Sequence, residues 1–496
     1  MRRFVQLGLV ALGAFFLLRA IDEHPVQAAE TKPTLTLAPC RLKGVNDEVK
    51  CGTLEVPEDR SDPSSKKIGL RVAVVPALSG NRKPDPLFIL AGGPGQAAAE
   101  FVDKVLPIFE KVRRTRDLVF VDQRGTGKSN GLKCEGAEDA GLAERLSVGL
   151  DKPVLHACLD RYAKEGTDVR RYTTTIAMDD LDDVRAALGY DQINLWGASY
   201  GTRAALVYLR QHGDHVRAAV IDGVAPPTDS LMLTIASDGQ RAFELIFKAC
   251  ATDATCSKTY PDLKGQFTSL LAKLAAQPAH VTVAHPLTGE PTELTITRDG
   301  FVMNLHSLLY EPEISSLLPL IIQRASHGDF GPFVAQAFGV SGGIGAGIDQ
   351  GMFFSVICAE DAQLATPEAR AKVNTADTYF GDTYAQQLSE VCAFWPKGKV
   401  DPSYHQTVKS DRPVLLLSGE LDPVTPPRRA EEAKAGLSHA VHVIVPGVGH
   451  GATPQGCVPD LVAQFFAAGN ADALDAGCVD TLGRPPFFES FAGPTP

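Results

Sequence analysis

The chain has 496 residues, enough for a large hydrophobic core and for two or three structural units at ~100–200 residues per domain. Its 59 acidic and 48 basic residues give a formal net charge of −11, and the basic residues are scattered along the chain. This pattern argues against nucleic acid as a partner, because phosphate binding needs clustered basic side chains.

The first 28 residues have the features of a signal peptide. Arg2 and Arg3 precede an apolar run at 4–18, and small residues follow at 26–29. The run is shorter than the ~20 residues that a membrane-spanning helix needs, and no later segment is long and apolar enough to span a bilayer. We therefore predict a signal peptide at 1–28, no membrane span after its removal, and an exported protein that is periplasmic or secreted.

Two β-type runs, at 49–56 and 67–75, are separated by a turn-like segment at 59–63 and predict an antiparallel pair. Further short apolar runs alternate with helical patterns. This alternation predicts a mostly parallel sheet with helices on both faces. The runs lie at 86–90, 118–121, 193–196, 218–221, 414–417 and 441–445.

The alternation gives way to helical patterns between about residues 226 and 411. These patterns lie at 239–248, 263–274, 298–310 and 314–325. A glycine-rich run follows at 342–351. We predict a largely helical cap domain at 226–411, inserted into a core that consists of residues 29–225 and 412–496.

Ten cysteines, an even number, follow the predicted export signal and indicate disulfides in an oxidising compartment. Their order suggests local pairs, although ten cysteines allow many other connectivities. The suggested pairs are Cys40–Cys51, Cys134–Cys158, Cys250–Cys256, Cys358–Cys392 and Cys457–Cys478. The chain has no C-x-x-C and no H-E-x-x-H, so we expect no metal ion.

Gly197-Ala198-Ser199-Tyr200-Gly201 lies between the predicted strand at 193–196 and an apolar helical pattern. G-x-S-x-G in this context is typical of a nucleophile elbow, where small residues let the chain turn sharply and expose the serine hydroxyl above the sheet. A hydroxyl also needs a base, an acid that orients the base, and donors for the developing oxyanion. We therefore predict that Ser199 is a nucleophile and that the chain, of the α/β class, has the α/β-hydrolase fold.

The order of the triad in this fold, serine then acid then histidine, restricts the acid to residues after Ser199. Asp422 follows the strand at 414–417, at the edge where open α/β sheets place their sites. Glu420 is a close competitor, and Asp222, at the end of the strand after the elbow, is a second one. We favour Asp422, because its distance before a candidate histidine suits adjacent strand ends.

His450 is the candidate base among the twelve histidines. It lies in a loop of small residues, 446–451, that leaves the strand at 441–445 and can bring an imidazole over the elbow. His439 and His442 lie before and within that strand, where packing or surface positions suit them better.

The oxyanion hole of this fold combines the N–H of the residue after the nucleophile, here Tyr200, with an N–H from the loop after an early strand. Gly92-Gly93-Pro94-Gly95 follows the strand at 86–90, and its glycines allow the backbone to approach a substrate closely. We predict Gly93 as the second donor, with a plain turn as the alternative. The loop at 121–127 contains G-x-G but lacks the full phosphate-binding pattern.

With these motifs placed, the chain resembles the proline iminopeptidase and tripeptidyl aminopeptidase family of serine peptidases, in particular secreted bacterial members with a TAP-like C-terminal region. The similar segments are GGPG at 92–95, DQRGTGKS at 122–129, GASYGT at 197–202, GELDPVTP at 419–426 and GVGHG at 447–451. They extend over most of the predicted mature chain. Ala91 departs from the pattern, since many relatives have histidine before these glycines.

The resemblance implies an enzyme that removes short peptides or residues from free N-termini, with peptide substrates and without a cofactor. Such an exopeptidase must bind an ammonium group, for which a carboxylate is the natural partner. Glu360 and Asp361 lie near Cys358, toward the end of the predicted insertion. We predict that Glu360, with Asp361 beside it, binds the substrate amine; a solvated acidic face is the other interpretation.

Two alternative functions stay open. One is a carboxylic ester hydrolase with the same triad, because fold and triad do not set the substrate. The other is a non-catalytic cell-envelope binding protein on a hydrolase scaffold, against which the joint presence of Ser199, Asp422 and His450 argues. The sequence predicts no particular oligomeric state.

Overall fold

The computed structural model describes residues 35–494, apart from 135–140, 148, 341–346, 374 and 376. The predicted signal peptide at 1–28 lies outside the described residues, as does the first half of the glycine-rich run. Within the described ranges, no helix combines the length and the apolar character needed to cross a bilayer.

The central sheet has nine strands in the order β1-β2-β3-β5-β4-β6-β7-β10-β11, and β8 and β9 form a separate hairpin. The strands are β1 (Ala38–Cys40), β2 (Val49–Pro57), β3 (Lys67–Val75), β4 (Leu87–Leu90), β5 (Leu118–Val121), β6 (Ile193–Ala198), β7 (Val216–Asp222), β8 (Ala279–Ala284), β9 (Pro291–Ile296), β10 (Val414–Gly419) and β11 (Ala440–Val445). The pairings β1-β2, β2-β3 and β3-β5 are antiparallel, and all pairings from β5 to β11 are parallel. The predicted mostly parallel sheet of the α/β-hydrolase fold is therefore confirmed.

Helices connect the strands and form most of the chain between β7 and β10. The helices are α1 (Val102–Val105), α2 (Glu110–Arg113), α3 (Leu142–Leu146), α4 (Lys152–Lys164), α5 (Thr174–Ala187), α6 (Tyr200–His212), α7 (Leu231–Thr252), α8 (Ala254–Thr259), α9 (Leu263–Ala276), α10 (Arg298–Leu308), α11 (Pro312–Ser315), α12 (Leu318–Ser326), α13 (Gly331–Val340), α14 (Gln350–Val356), α15 (Ala362–Leu364), α16 (Pro367–Lys372), α17 (Thr383–Phe394), α18 (Pro427–Lys434) and α19 (Val458–Ala468). A π-helical segment, Ile357–Asp361, joins α14 to α15.

Both faces of the sheet are covered by helices. Buried residues of α5, α6 and α18 pack on one face, where Leu195 of β6 is buried among them. Residues of α1, α2 and α19 pack on the other face, where the next residue of the strand, Trp196, is buried. Because successive side chains of a strand point to opposite faces, the continuous apolar runs of the sequence correspond to strands that are buried on both sides.

The segment between β7 and β10 contains α7 to α17 and the β8–β9 hairpin. It has an apolar core of its own, in which the rings of Phe243, Phe267 and Phe301 are buried. The sequence did not predict the hairpin, because its strands are partly exposed and lack the continuous apolar runs that marked the strands of the central sheet. The division of the chain at residues 226 and 411 stays a prediction.

All five suggested cysteine pairs are formed, so the proposed connectivity is confirmed. Cys250–Cys256 and Cys358–Cys392 lie between β7 and β10. Cys457–Cys478 joins the residue before α19 to a turn that follows this helix. The disulfides therefore constrain both the region between β7 and β10 and the C-terminal part of the chain.

Candidate active site

Ser199 lies between the last residue of β6 and the first residue of α6, with φ 55° and ψ −122°. The two glycines of the motif are required by close packing. A Cβ atom at Gly197 would lie 2.2 Å from the carbonyl oxygen of Gly201, and a Cβ atom at Gly201 would lie 2.2 Å from that of Leu90. Only glycine fits at either position, so the strand and the helix can meet at a sharp turn that presents the Ser199 side chain.

Asp422 and His450 are joined by a hydrogen bond of 2.8 Å between Oδ2 and Nδ1. The other oxygen of Asp422 accepts hydrogen bonds from the backbone N–H groups of Val424 (2.8 Å) and Thr425 (2.7 Å). The hydroxyl of Thr425 donates to Oδ2 at 2.7 Å. The carboxylate is buried and held on both oxygens, so it can orient the imidazole.

Charge interactions set the protonation of this pair. Burial disfavours the ionised form of Asp422, but the attraction of His450 and the hydrogen bonds outweigh it and hold the pKa of Asp422 below its ordinary value. Burial likewise opposes the charged form of His450, yet attraction to Asp422, Asp222 and Glu311 raises the pKa of the imidazole above its ordinary value. The site therefore stabilises an imidazolium beside an ionised Asp422 once a neutral His450 has taken a proton.

Ser199 and His450 both lie next to the backbone of residues 222 and 223. The N–H of Ser199 donates to the carbonyl oxygen of Asp222 at 2.9 Å. A Cβ atom at the next residue, Gly223, would lie 3.1 Å from Cε1 of His450. Among the described hydrogen bonds, none joins the Ser199 hydroxyl to His450. The structure thus brings the three predicted residues to one edge of the sheet, with Asp422 hydrogen-bonded to His450.

The two competing acids contact the backbone of the loop that carries His450. Asp222 accepts hydrogen bonds from the N–H groups of Ala452 (2.9 Å) and Thr453 (2.6 Å). Glu420 accepts a hydrogen bond of 3.0 Å from the N–H of Gly447. Neither carboxylate is hydrogen-bonded to the imidazole, so their contacts fit a role in holding the loop.

The predicted oxyanion donors lie next to Ser199. A Cβ atom at Gly92 would lie 3.3 Å from Cβ of Ser199, which places the glycine-rich loop after β4 against the nucleophile. Gly93 follows with φ 106°, a conformation that favours glycine. Tyr200 is the first residue of α6, where a backbone N–H has no acceptor within the helix. Both N–H groups are therefore in segments suited to hold an oxyanion.

Glu360 is buried, and its oxygens already have partners. Oε1 accepts a hydrogen bond of 2.7 Å from the N–H of Thr174, and Oε2 accepts one of 2.9 Å from the Thr174 hydroxyl. The Tyr404 hydroxyl also donates to Oε2, and the Arg203 guanidinium lies 3.7 Å from it.

Asp361 is buried in the same network. Its Oδ1 lies 2.5 Å from the Arg203 guanidinium, and its Oδ2 accepts a hydrogen bond of 2.7 Å from the N–H of Leu231. A substrate ammonium would have to displace these partners from a closed interior. The geometry therefore gives no support to amine binding by Glu360 and Asp361, and it supports an ion-pair network beside the first turn of α6.

Two residues that the sequence did not single out contact or influence His450. The carbonyl oxygen of Tyr310 accepts a hydrogen bond of 2.8 Å from the N–H of His450, and the two rings lie 5.0 Å apart. Glu311 is exposed, and its charge contributes to the raised pKa of His450. The sequence signal was weak, since an acidic residue before Pro312 at a helix end is also typical of a solvated surface.

Two family models match the chain. The α/β hydrolase fold matches residues 85–289, which include the glycine-rich loop and the elbow. The TAP-like protein model matches residues 377–478, which include Asp422 and His450. The second match begins inside the predicted insertion.

Three curated proteins are similar over most of their length. The tripeptidyl aminopeptidase of Streptomyces lividans is 26% identical over 465 residues, which cover 87% of this chain and 83% of that protein. Serine protease Hip1 of Mycobacterium tuberculosis is 26% identical over 489 residues, 89% of this chain and 90% of that protein. Carboxylesterase B of Mycobacterium tuberculosis is 28% identical over 466 residues, 86% of each.

Proposed function

This chain belongs to the α/β-hydrolase family with a TAP-like C-terminal region, and on that premise we propose that it is a serine aminopeptidase that releases short peptides or residues from free N-termini. The observation that carries the proposal is the 2.8 Å contact between Asp422 and His450 at the sheet edge that also bears the Ser199 elbow. The similarity to a tripeptidyl aminopeptidase and to a serine protease supports a peptide as the substrate.

In the proposed mechanism, His450 takes the proton of the Ser199 hydroxyl as its oxygen attacks the carbonyl carbon of the scissile peptide bond. Asp422 orients the imidazole and stabilises the imidazolium that forms. The N–H groups of Gly93 and Tyr200 donate to the oxyanion of the tetrahedral intermediate. The imidazolium then protonates the leaving amine. His450 next activates a water molecule, which releases the N-terminal fragment from the acyl-enzyme.

Glu311 is our candidate for the group that recognises the substrate amine. It is an exposed carboxylate in the segment whose preceding residue, Tyr310, packs on the ring of His450. The charge of Glu311 acts on His450, so an ammonium held near His450 can pair with Glu311 without breaking an internal network. The pairing would favour peptides with a free N-terminus over blocked ones.

The activity is tested with dipeptide and tripeptide anilides, their N-acetylated forms and a short p-nitrophenyl ester, each against the wild type and Ser199→Ala. We expect turnover of the free-amine anilides and its loss in Ser199→Ala. Turnover of the ester alone would favour the carboxylic ester hydrolase, an alternative that the similarity to Carboxylesterase B supports. No turnover and no labelling by a fluorophosphonate would favour the binding protein.

Amine recognition is tested with Glu311→Gln. We expect kcat/KM on free-amine anilides to fall about 10–100-fold, because a charged hydrogen bond contributes about 1.5–3 kcal/mol, while turnover of N-acetylated substrates stays unchanged. Glu313→Gln is the matched control, since this residue is also exposed and lies two positions away. Equal effects of Glu311→Gln and Glu313→Gln, or an effect of Glu360→Gln that is selective for free amines, would contradict the assignment to Glu311.

Export is the second part of the proposal. Five disulfides are typical of proteins that fold in an oxidising compartment. N-terminal sequencing of the protein from periplasm and culture medium tests whether residues 1–28 are removed and where the mature chain accumulates. A full-length chain that stays with the cytoplasm would contradict export.

A further inference from the structure

A cluster of metal-ligating side chains lies away from the elbow, where α5, the end of α6 and the turn before β7 meet. Asp182 belongs to α5, His212 is the last residue of α6, and His215 lies in the turn. Their ligand atoms lie within 4.8 Å of one another. Since α6 has 13 residues and rises 1.5 Å per residue, the cluster is about 20 Å from the elbow at the start of this helix.

Ring nitrogens of both histidines face the carboxylate of Asp182. Nδ1 of His215 lies 2.7 Å from Oδ1, and Nδ1 of His212 lies 3.8 Å from Oδ2. The two imidazole rings are parallel within 7°, with centroids 6.2 Å apart. Two imidazole nitrogens and the carboxylate of Asp182 therefore lie close enough together to share one metal ion.

A second carboxylate fixes the ring of His212. Asp179 Oδ1 lies 2.9 Å from Nε2 of His212, so a neutral ring that donates Nε2–H to Asp179 keeps the lone pair of Nδ1 on the side of Asp182. Metal-binding histidines commonly have this arrangement, in which a carboxylate on the far nitrogen selects the tautomer and orients the ring. Asp179 is suited to this supporting role.

The carboxylate of Asp182 has a lone pair that is available to a metal ion. An aspartate is ordinarily ionised at neutral pH, and Arg185 and Tyr208 donate hydrogen bonds to this one. Oδ1 accepts from Arg185 and Tyr208, whereas Oδ2 accepts only from Arg185, at 3.1 Å. Nδ1 of His215 donates to Oδ1 in the metal-free protein, and a metal ion on Nδ1 would displace this proton. A carboxylate oxygen has two lone pairs, so Oδ2 retains one for a metal ion. The Arg185 guanidinium opposes a nearby cation, and the charges of Asp179 and Asp182 offset it.

We propose that Asp182, His212 and His215 form a binding site for a divalent transition metal ion such as Zn²⁺. Imidazole nitrogen and carboxylate oxygen suit this class of ion, and three protein ligands leave the fourth position of a tetrahedron to solvent. The side chains are 17%, 21% and 38% exposed, so an ion can reach them. The bound ion would connect α5 to the end of α6 and to the turn before β7, and would stabilise the fold without taking part in hydrolysis.

The test uses metal-free full-length protein and ZnCl₂ in isothermal titration calorimetry, with Co²⁺ absorption as a second probe. We expect saturable binding of one ion per chain and an increase in Tm with added Zn²⁺. His212→Ala and His215→Ala should each weaken binding at least about 10-fold and abolish the Tm increase, and Asp179→Asn should weaken binding about 10-fold. Hydrolysis by all three variants should match that of the wild type.

His280→Ala is the matched control, because this exposed histidine lies on the hairpin strand β8 and is not part of the cluster. It should bind Zn²⁺ like the wild type. Wild type that shows no saturable binding at 1 mM Zn²⁺ would overturn the proposal, as would equal binding by the wild type and His215→Ala. Should His212→Ala or His215→Ala be unfolded, His215→Asn serves in its place, and its retention of wild-type affinity would also overturn the proposal.

Discussion

Ser199 has a backbone conformation that residues other than glycine rarely adopt. Such a conformation costs about 1–3 kcal/mol and persists only where the surroundings hold it. Here the N–H of Ser199 donates to Asp222 in β7, and its carbonyl oxygen accepts from the Thr202 hydroxyl at 2.6 Å. Backbone contacts on both sides thus hold the elbow, and Ser199→Ala should remove the hydroxyl without changing the turn.

Three nearby carboxylates act on the pKa of His450. Its pKa is raised by Asp422, Asp222 and Glu311 against the effect of burial. An imidazole must be neutral to take the proton of a serine hydroxyl, so activity is lost as the pH falls through the pKa of His450. We therefore expect the acid limb of the kcat/KM profile of the wild type to have its midpoint above ~6.5, the ordinary value for histidine.

Asp422→Asn should lower kcat about 10⁴-fold, because the amide neither stabilises the imidazolium nor holds the required tautomer. It also removes the charge that contributes most to the raised pKa of His450, so the midpoint of the acid limb should move to lower pH. The measurement is kcat/KM on a free-amine peptide anilide between about pH 4 and pH 9.

Glu420→Gln is the control for this change, since Glu420 braces the same loop through Gly447 without contacting His450. Its kcat should stay within about threefold of the wild type, as for a surface substitution. A comparable loss of kcat in Glu420→Gln and Asp422→Asn, or an unchanged midpoint in Asp422→Asn, would show that Asp422 is not the orienting acid.

At the scale of elements, the loop that carries Gly93 is tied to the residues before α14. The N–H of Asp349 donates to the carbonyl oxygen of Gly95 at 3.0 Å, and Ile348 forms a β-bridge with Gln96. The side chain of Asp349 accepts a hydrogen bond of 2.6 Å from the N–H of Gly127. The region between β7 and β10 therefore contacts the loops after both β4 and β5, and it helps to position the loop that carries Gly93.

Asp349→Asn should stabilise the protein at neutral pH. Burial, together with Glu100 and Asp122, raises the pKa of Asp349 to about 6, although Gly127 and Lys133 act in the opposite direction. In the unfolded chain this carboxyl ionises near pH 4, so its contribution to stability is lost as the pH rises from about 4 to 6. Asparagine keeps an acceptor for Gly127 and carries no charge. We expect a gain of about 1–3 kcal/mol at pH 7 and none below pH 4.

Urea unfolding of the wild type and Asp349→Asn at several pH values measures this difference. Asp191→Asn serves as the control, since Asp191 is exposed and its substitution should change the free energy of unfolding by no more than about 0.5 kcal/mol. A variant that is less stable than the wild type at pH 7 would mean that the charge of Asp349 is needed for its contact with Gly127.

At the scale of the whole molecule, the site combines segments that are far apart in the chain. Ser199 follows β6, whereas Asp422 and His450 follow β10 and β11. β10 pairs with β7 on one side and with β11 on the other. The chain therefore returns to the central sheet, beside the elbow, after the long region between β7 and β10. Tyr310 belongs to this region, and its ring packs against the ring of His450.

The disulfide Cys358–Cys392 stabilises the region between β7 and β10. It closes a loop of 34 residues, so the double variant Cys358→Ala/Cys392→Ala should lose about 3–4 kcal/mol of unfolding free energy through the greater entropy of the unfolded chain. Equilibrium unfolding in urea measures the loss. Cys250→Ala/Cys256→Ala is the comparison, because its disulfide spans 6 residues and should cost only about 2 kcal/mol. The reverse order would contradict an entropic origin.

Much of the framework could be predicted because its signals are local. The strands of the parallel sheet are continuous apolar runs, the elbow is a five-residue motif with strict steric demands at Gly197 and Gly201, and the cysteines pair with near neighbours. The β8–β9 hairpin could not be recognised in this way, since its partly exposed strands contain no continuous apolar run.

The sequence by itself determined the fold class, the position of the elbow and the order of the candidate triad, because short-range patterns specify them. It suggested the disulfide pairs, which the structure then confirmed. Only the tertiary structure decided that Asp422, and not Asp222 or Glu420, is bonded to His450, and that Glu360 is enclosed by Thr174, Tyr404 and Arg203. It also brought Asp182 to His212 and His215. These outcomes depend on packing between distant segments, which sets the burial and the partners of each carboxylate. The residues adjacent to a carboxylate in the chain do not show this packing.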